Sequence, residues 1–262
     1  MPHDPFTWTF TDWFFGIPAM LAMVLYVAAV YTSNRRGRLR PWPWHRTLFW
    51  FLGVLTAAVA LVGPLSHRSH ENFVAHMVGH LLVGMLGPLL IVLAAPMTLL
   101  LRTLPVRAAR NVSRLLKSPV ARLFTHPIVA SLLNIGGLWL LYVTPLYHAM
   151  HSHVWLHILI HIHVFAAGYL FTISMLYIDP VAHRLSYRYR TIVFIFALAG
   201  HGILSKFIYA YPPVGVPVEH ARPGAMFMYY GGDAVDLIII ILLFHQWYRS
   251  IRFPRTVPAT LQ

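Results

Sequence analysis

Seven apolar runs, each long enough to cross a bilayer as a helix, limit what this chain can fold into. They lie at about 13–31, 47–65, 73–101, 127–147, 154–178, 191–211 and 224–245. A spanning helix needs roughly 20 mainly apolar residues, because hydrocarbon offers no partner to an exposed backbone N–H or C=O. Only 10% of the 262 residues are charged, against about 25% in soluble domains. The predicted fold is therefore all-α: a polytopic membrane protein, a seven-transmembrane-helix bundle forming one domain over residues 1–262. The longest loop, roughly 102–126, is too short for a further domain. The opening MPHDPFTWTF has neither the basic region nor the small-residue cleavage pattern of a signal peptide.

The formal net charge of +13 raises the question of a nucleic-acid partner, and the distribution of the charges answers it. Arg35, Arg36, Arg38, Arg40 and Arg46 follow the first run, and Arg102, Arg107, Arg110, Arg114, Lys117 and Arg122 separate the third from the fourth. Arg184, Arg188 and Arg190 separate the fifth from the sixth, and Arg249, Arg252 and Arg255 follow the seventh. Seventeen of the 20 basic residues thus occupy alternate connections, which share one side of a membrane. The positive-inside rule makes that side cytoplasmic, with the N-terminus outside and the C-terminus inside. The basic loops orient the chain and meet anionic lipid head groups; no nucleic-acid partner is expected.

The titratable groups show the opposite asymmetry. His3, His67, His70, His148, His151, His153 and His220 fall in or beside the outer connections. His76, His80, His157, His161 and His163 fall in the outer parts of runs three and five, and His201 near the middle of run six. Asp4, Asp12, Glu71, Glu219 and Asp233 share the outer half, and Asp236 lies one turn deeper. The chain has no cysteine, so a metal could be bound only through histidine, methionine and carboxylate.

Run three begins FVAHMVGHLL, and His76 and His80, four apart, share a helical face. This spacing lets one helix offer two imidazoles to a metal, and equally lets two histidines bond to carbonyls or water. No glutamate completes an HExxH zincin motif. In LHILIHIHVF, His157 and His161 continue a stripe from His153, whereas His163 lies about 240° around the helix from His157. One metal cannot take both His157 and His163 from a regular helix. His201 stands between two glycines in ALAGHGIL, where a neighbouring helix can approach closely. In MYYGGDAVDL, Asp233 and Asp236 are three apart and need a cation, a proton or a histidine partner. Met77, Met226 and Met228 suit Cu(I) chemically, although methionines in apolar helices usually serve packing. Groups from four runs at similar depth point to a transition-metal site on the outward side, with copper favoured by affinity order.

The order of motifs resembles the integral-membrane CtaG-type cytochrome c oxidase assembly factors. It comprises HMVGHLL with LLLRTLP; LYVTPLY; H-x5-H leading into VFAAGYLF; IDP with RLSYRYR; GHGIL; and MYYGGDAVDL with FHQWYR, over roughly residues 67–250. No nucleophile–base pair or nucleotide-binding glycine loop points to an enzyme, and the resemblance implies a seven-helix protein of the bacterial cytoplasmic membrane. It implies a role in assembling haem-copper oxidases by supplying or handling copper for the catalytic subunit, with a soluble copper donor as a possible further partner. By motif position the family's residues fall on His76, His80, His157, His163, His201 and Asp233. His161 lies outside the H-x5-H pattern but on the His157 stripe, and is kept among the metal candidates. The outer HAMHSH, with His148, His151 and His153, is a candidate capture site.

Two other classes use the same residues. Paired intramembrane histidines could be axial haem ligands in an electron carrier, the less favoured cofactor. A proton or metal transporter could use the histidines with Asp233 and Asp236, although the sequence shows no repeat of halves. A retinal protein would resemble its relatives in carrying a lysine in the last span, and here Lys206 lies in the sixth.

Overall fold

A computed structural model describes residues 8–36, 39–181 and 184–252. His3, Asp4, Arg38, His183 and Arg255 lie outside the described residues. Every regular element among the described residues is a helix, and there is no strand among them. Six helices are long and apolar enough to span a membrane: α1 (Phe10–Arg35), α2 (Trp44–Leu61), α3 (Phe73–Leu93), α5 (Val154–Met175), α6 (Tyr187–Ala210) and α7 (Val218–Arg252). A seventh, α4 (Pro127–Val143), passes only together with Leu146–Ser152, to which it is bent by 79° across Thr144 and Pro145. Exposed apolar side chains such as Leu21, Leu55, Leu159, Phe196 and Ile241 ring the bundle, the surface that hydrocarbon requires.

Breaks in the spans have local causes. The expected run 73–101 ends at Leu93, because Ala95 takes a left-handed conformation (φ 53°) before a separate helix, Pro96–Thr103. Asp179 of the IDP motif fixes that break by accepting from Met97 N, Thr98 N and Thr98 Oγ1 at 3.1, 2.8 and 2.7 Å. Upstream of Pro88, which has no N–H to give, α3 widens into a π turn at Leu82–Leu86. A second π turn, Leu132–Gly136, interrupts α4. The basic connection 102–126 is partly helical, as Val106–Leu116 and Pro119–Phe124.

Contacts sort the connections into two ends. At one, Asp12 both boxes the start of α1 with Thr9 and accepts from Gly63 N (2.8 Å) and His67 Nε2 (3.1 Å). This is the histidine end, which also gathers His70, His151 and His157. At the other, Arg36 donates to the carbonyls of Arg102 and Leu104, and Arg102 to that of Arg40. There the buried Arg190 donates to the Met175 carbonyl and lies 4.0 and 4.4 Å from the ring centres of Tyr177 and Tyr187. A histidine end and an arginine end are therefore separate in space.

The central and most buried span is α3, packed on α2, α5 and α7. One apolar cluster (Phe73, Met77, Val83, Tyr142, Val164, Leu204, Met228) fills the half nearer the histidine end. Another (Leu89, Phe171, Phe194, Ala197, Val235, Leu243) fills the half nearer the arginine end. Met77 and Met228 are fully enclosed in the first cluster, so both are packing residues.

Candidate metal centre

Asn72 starts α3 by accepting from Val74 N and Ala75 N, which places His76 and His80 on consecutive turns. Their environments then diverge. His76 pairs its Nε2 with Tyr142 Oη at 3.0 Å and sets its ring against Tyr147, centroids 5.0 Å apart. His80, one turn deeper, faces His201 of α6, with ring centroids 6.4 Å apart.

Glycines make room for these two rings. A Cβ at Gly84 would lie 3.3 Å from His80 Cε1, and one at Gly232 only 2.5 Å from His201 Cε1. Asp236, one turn beyond Gly232, and Asn134 in the π turn of α4 add polar groups to the lining, and Met85, Ile135, Leu138, Phe171, Ala197 and Leu198 complete it. They enclose a cavity of about 10 Å³, the room that one water-sized body occupies.

The chamber is enclosed, largely apolar, and under-satisfied where its few polar groups meet. His80, His201 and Asp236 are 7%, 3% and 4% exposed. Among the described residues, His80 Nε2 and His201 Nε2 are buried without a hydrogen-bond partner. The Asp236 carboxyl borders the same space. A buried polar group left unsatisfied costs about 1–3 kcal/mol, so two such nitrogens at one small cavity favour a polar or cationic occupant. Imidazole, carboxylate, amide oxygen and thioether form a donor set that a transition metal accepts.

Nearer the histidine end stands a second histidine group. His157 and His161 stack with centroids 4.2 Å apart, and His70, before α3, stacks on His157 at 5.0 Å. His151, from the bent helix after α4, meets His70 edge-on at 5.5 Å. His157 Nδ1 is buried without a partner, while His161 Nδ1 bonds to the His157 carbonyl at 2.9 Å. More than a third of His70 is open to solvent. Even so, the packing of its ring, then the neighbouring His151, lowers its pKa below the usual 6.5 and favours the neutral form.

His163 is placed elsewhere. Its Nε2 lies 3.1 Å from the Leu133 carbonyl in the π turn of α4, and its ring rests on Gly137, where a Cβ would come within 2.6 Å. Here helix geometry, not the motif, describes the arrangement: His157 and His161 face the other histidines, and His163 ties α5 to α4. In α7, Asp236 lines the chamber while Asp233 is on the exposed face. Asn134 carried a signal in the sequence as the one asparagine within the fourth run. His70 carried none, because its place beside His157 depends on how the 62–72 connection folds back. Among the described residues, no three His, Asp or Glu side chains already converge on one point. The arrangement is instead a ladder of pairs leading inward from the histidine end.

The model of the cytochrome c oxidase caa3 assembly factors (Caa3_CtaG) matches residues 24–250. The chain belongs to this family. The match takes in α2 and the last 12 of the 26 residues of α1 as well as the motif-bearing region, and so covers nearly the whole chain. As a member of a family of oxidase assembly factors, the chain also has relatives in mycobacteria. An uncharacterized protein of Mycobacterium bovis and one of Mycobacterium tuberculosis are each 33% identical over 189 residues, 69% of this chain and 28% of the relative. An uncharacterized protein of Mycobacterium leprae is 30% identical over 189 residues, 68% of this chain and 28% of the relative. The matched region is thus well under half the length of these curated relatives. No solved structure matches the chain.

Proposed function

We propose that this assembly factor holds a copper ion at the chamber of His80, His201 and Asp236 and passes it to the catalytic subunit of a haem-copper oxidase. In this reading the chain sits in the bacterial cytoplasmic membrane with its histidine end outward, as the basic residues at the opposite end favour. The observation that carries the reading is the pair of buried imidazoles, from α3 and α6, that face one another across a small cavity with no hydrogen-bond partner for Nε2. Metal–imidazole bonds of about 2 Å on either side of one ion, with the radii of the rings, fill a centroid separation of this order. Asp236 would balance part of the ion's charge in a low-dielectric setting. A cavity of about 10 Å³ is far too small for a porphyrin, which disfavours haem at this point.

Metal analysis of the purified chain, together with its optical spectrum, tests the reading. Near-stoichiometric copper without a Soret band is expected, with the copper lost in His80→Ala and in His201→Ala. Metal content unchanged in both variants would overturn it. A Soret band would replace it with the electron-carrier reading.

A further inference from the structure

At the mouth of the bundle, above the chamber, lies a larger cavity of about 270 Å³. Three separate parts of the chain build it: the connection before α3 (His70, Glu71), the bent helix after α4 (Tyr147, His148, His151) and the start of α7 (His220) with the 214–217 segment before it. Four imidazoles and a carboxylate border one solvent-open space, at the end of the molecule that lacks the arginine clusters. Backbone shape helps to hold them. Gly215 turns with φ 85°, and a Cβ there would lie 3.0 Å from His148 Nδ1. A second cavity, of about 230 Å³, touches His70, His151 and His157 from the side of α1. His70 and His151 therefore stand between the mouth and the top of the histidine ladder.

We propose that this mouth is a metal-entry site, separate from the chamber, where a hydrated divalent transition-metal ion such as Cu(II) exchanges one or two of its waters at a time for imidazoles among His70, His148, His151 and His220, no three of which converge on one point. The size of the cavity fits the first stage of such an exchange. It holds an ion with part of its water shell, whereas the chamber has room for one water-sized body only. Its ring separations fit as well: His70 lies 5.5 Å from His151 and 5.0 Å from His157 by centroid. An ion can form one imidazole bond as it gives up one water, then trade His151 for His157 through the shared neighbour His70. From His157 the next ring, His161, is 4.2 Å away. Each step exchanges one ligand for another, and no electron moves. Glu71 supplies the harder donor that a partly hydrated ion prefers, and raises the local cation concentration. Of the HAMHSH histidines, His148 and His151 line the mouth and His153 does not. As a place of entry the mouth rests on the copper reading of the chamber; as a binding site it rests on its own residues.

The test uses the full chain in lipid nanodiscs with Cu(II) alone as the probe. In the unaltered protein, bound Cu(II) should protect His70, His148, His151 and His220 from acylation of their rings, read residue by residue by mass spectrometry. Its electron paramagnetic resonance spectrum should carry nitrogen splittings. The double variant His70→Ala/His151→Ala should bind Cu(II) at the mouth at least tenfold more weakly and load the chamber at least tenfold more slowly, while the copper retained in the chamber after loosely bound ions are washed out reaches the same final level. Cu(II) bound without protection of these four residues would overturn the proposal, even if the variants fail to fold. Loading at the unaltered rate in a folded double variant would overturn it too. Against these outcomes, His80→Ala/His201→Ala should keep the protected mouth and lose the retained copper. If that variant retains copper, the chamber reading fails while the mouth still stands as a binding site.

Discussion

Replacing His80 by leucine separates a metal-holding histidine from a structural one, because the two roles give opposite signs of stability change. Neither His80 Nε2 nor His201 Nε2 has a partner among the described residues, and both rings are more than nine-tenths buried. Each unsatisfied buried group costs about 1–3 kcal/mol, and a leucine of similar bulk adds little strain. Metal-free His80→Leu is therefore expected to unfold at a temperature equal to the unaltered protein's or higher, by up to about 3 kcal/mol in stability. With copper the order reverses. Copper at about 100 times its dissociation constant stabilises the unaltered protein by about 2.7 kcal/mol. A chain of this length converts that into a shift of roughly 5–10 °C. His80→Leu should show none of it. The assay is thermal unfolding in nanodiscs, followed by tryptophan fluorescence, with copper and with a chelator. A metal-free variant that loses more than about 2 kcal/mol and keeps the full copper shift would refute the reasoning, since His80 would then be bonded in place and not held for a ligand.

Three further outcomes follow from the placement of single residues. Asp236→Asn should lower copper retention at least tenfold, whereas Asp233→Asn, on the exposed face of α7, should leave it within about twofold; equal loss in both would contradict the assignment of the chamber carboxylate. His163→Ala should cost about 1 kcal/mol of thermal stability through the bond to the Leu133 carbonyl, with copper content unchanged by metal analysis. Cu(II) uptake at the mouth should fall as acid protonates its imidazoles. Because packing and His151 lower the His70 pKa, that ring stays neutral and competent at pH 6.5, so the midpoint of a pH titration followed by paramagnetic resonance belongs below 6.5; a midpoint above it would exclude His70 as a ligand.

The seven apolar runs, their order and the contrast between a basic and a histidine-rich set of connections are properties of composition along the chain. They follow from the chemistry of backbone groups in hydrocarbon, which leaves a long apolar run little choice but a helix. The family, too, was legible, because its motifs are local words such as HMVGHLL and GHGIL. What the sequence could not decide is the rotation of each helix about its own axis. Asp233 and Asp236 lie about 60° apart on a helix; the packing of α7 on α3 and α6 buries one and exposes the other. His157, His161 and His163 differ by the same kind of angle. The π turn of α4, which supplies a carbonyl for His163 and carries Asn134 into the chamber, has no local sequence signature. The break at Ala95 likewise depends on a carboxylate at Asp179, 84 positions along the chain. Runs and motifs are written in neighbouring residues, whereas the ladder from His70 to Asp236 exists only because six distant segments close around it.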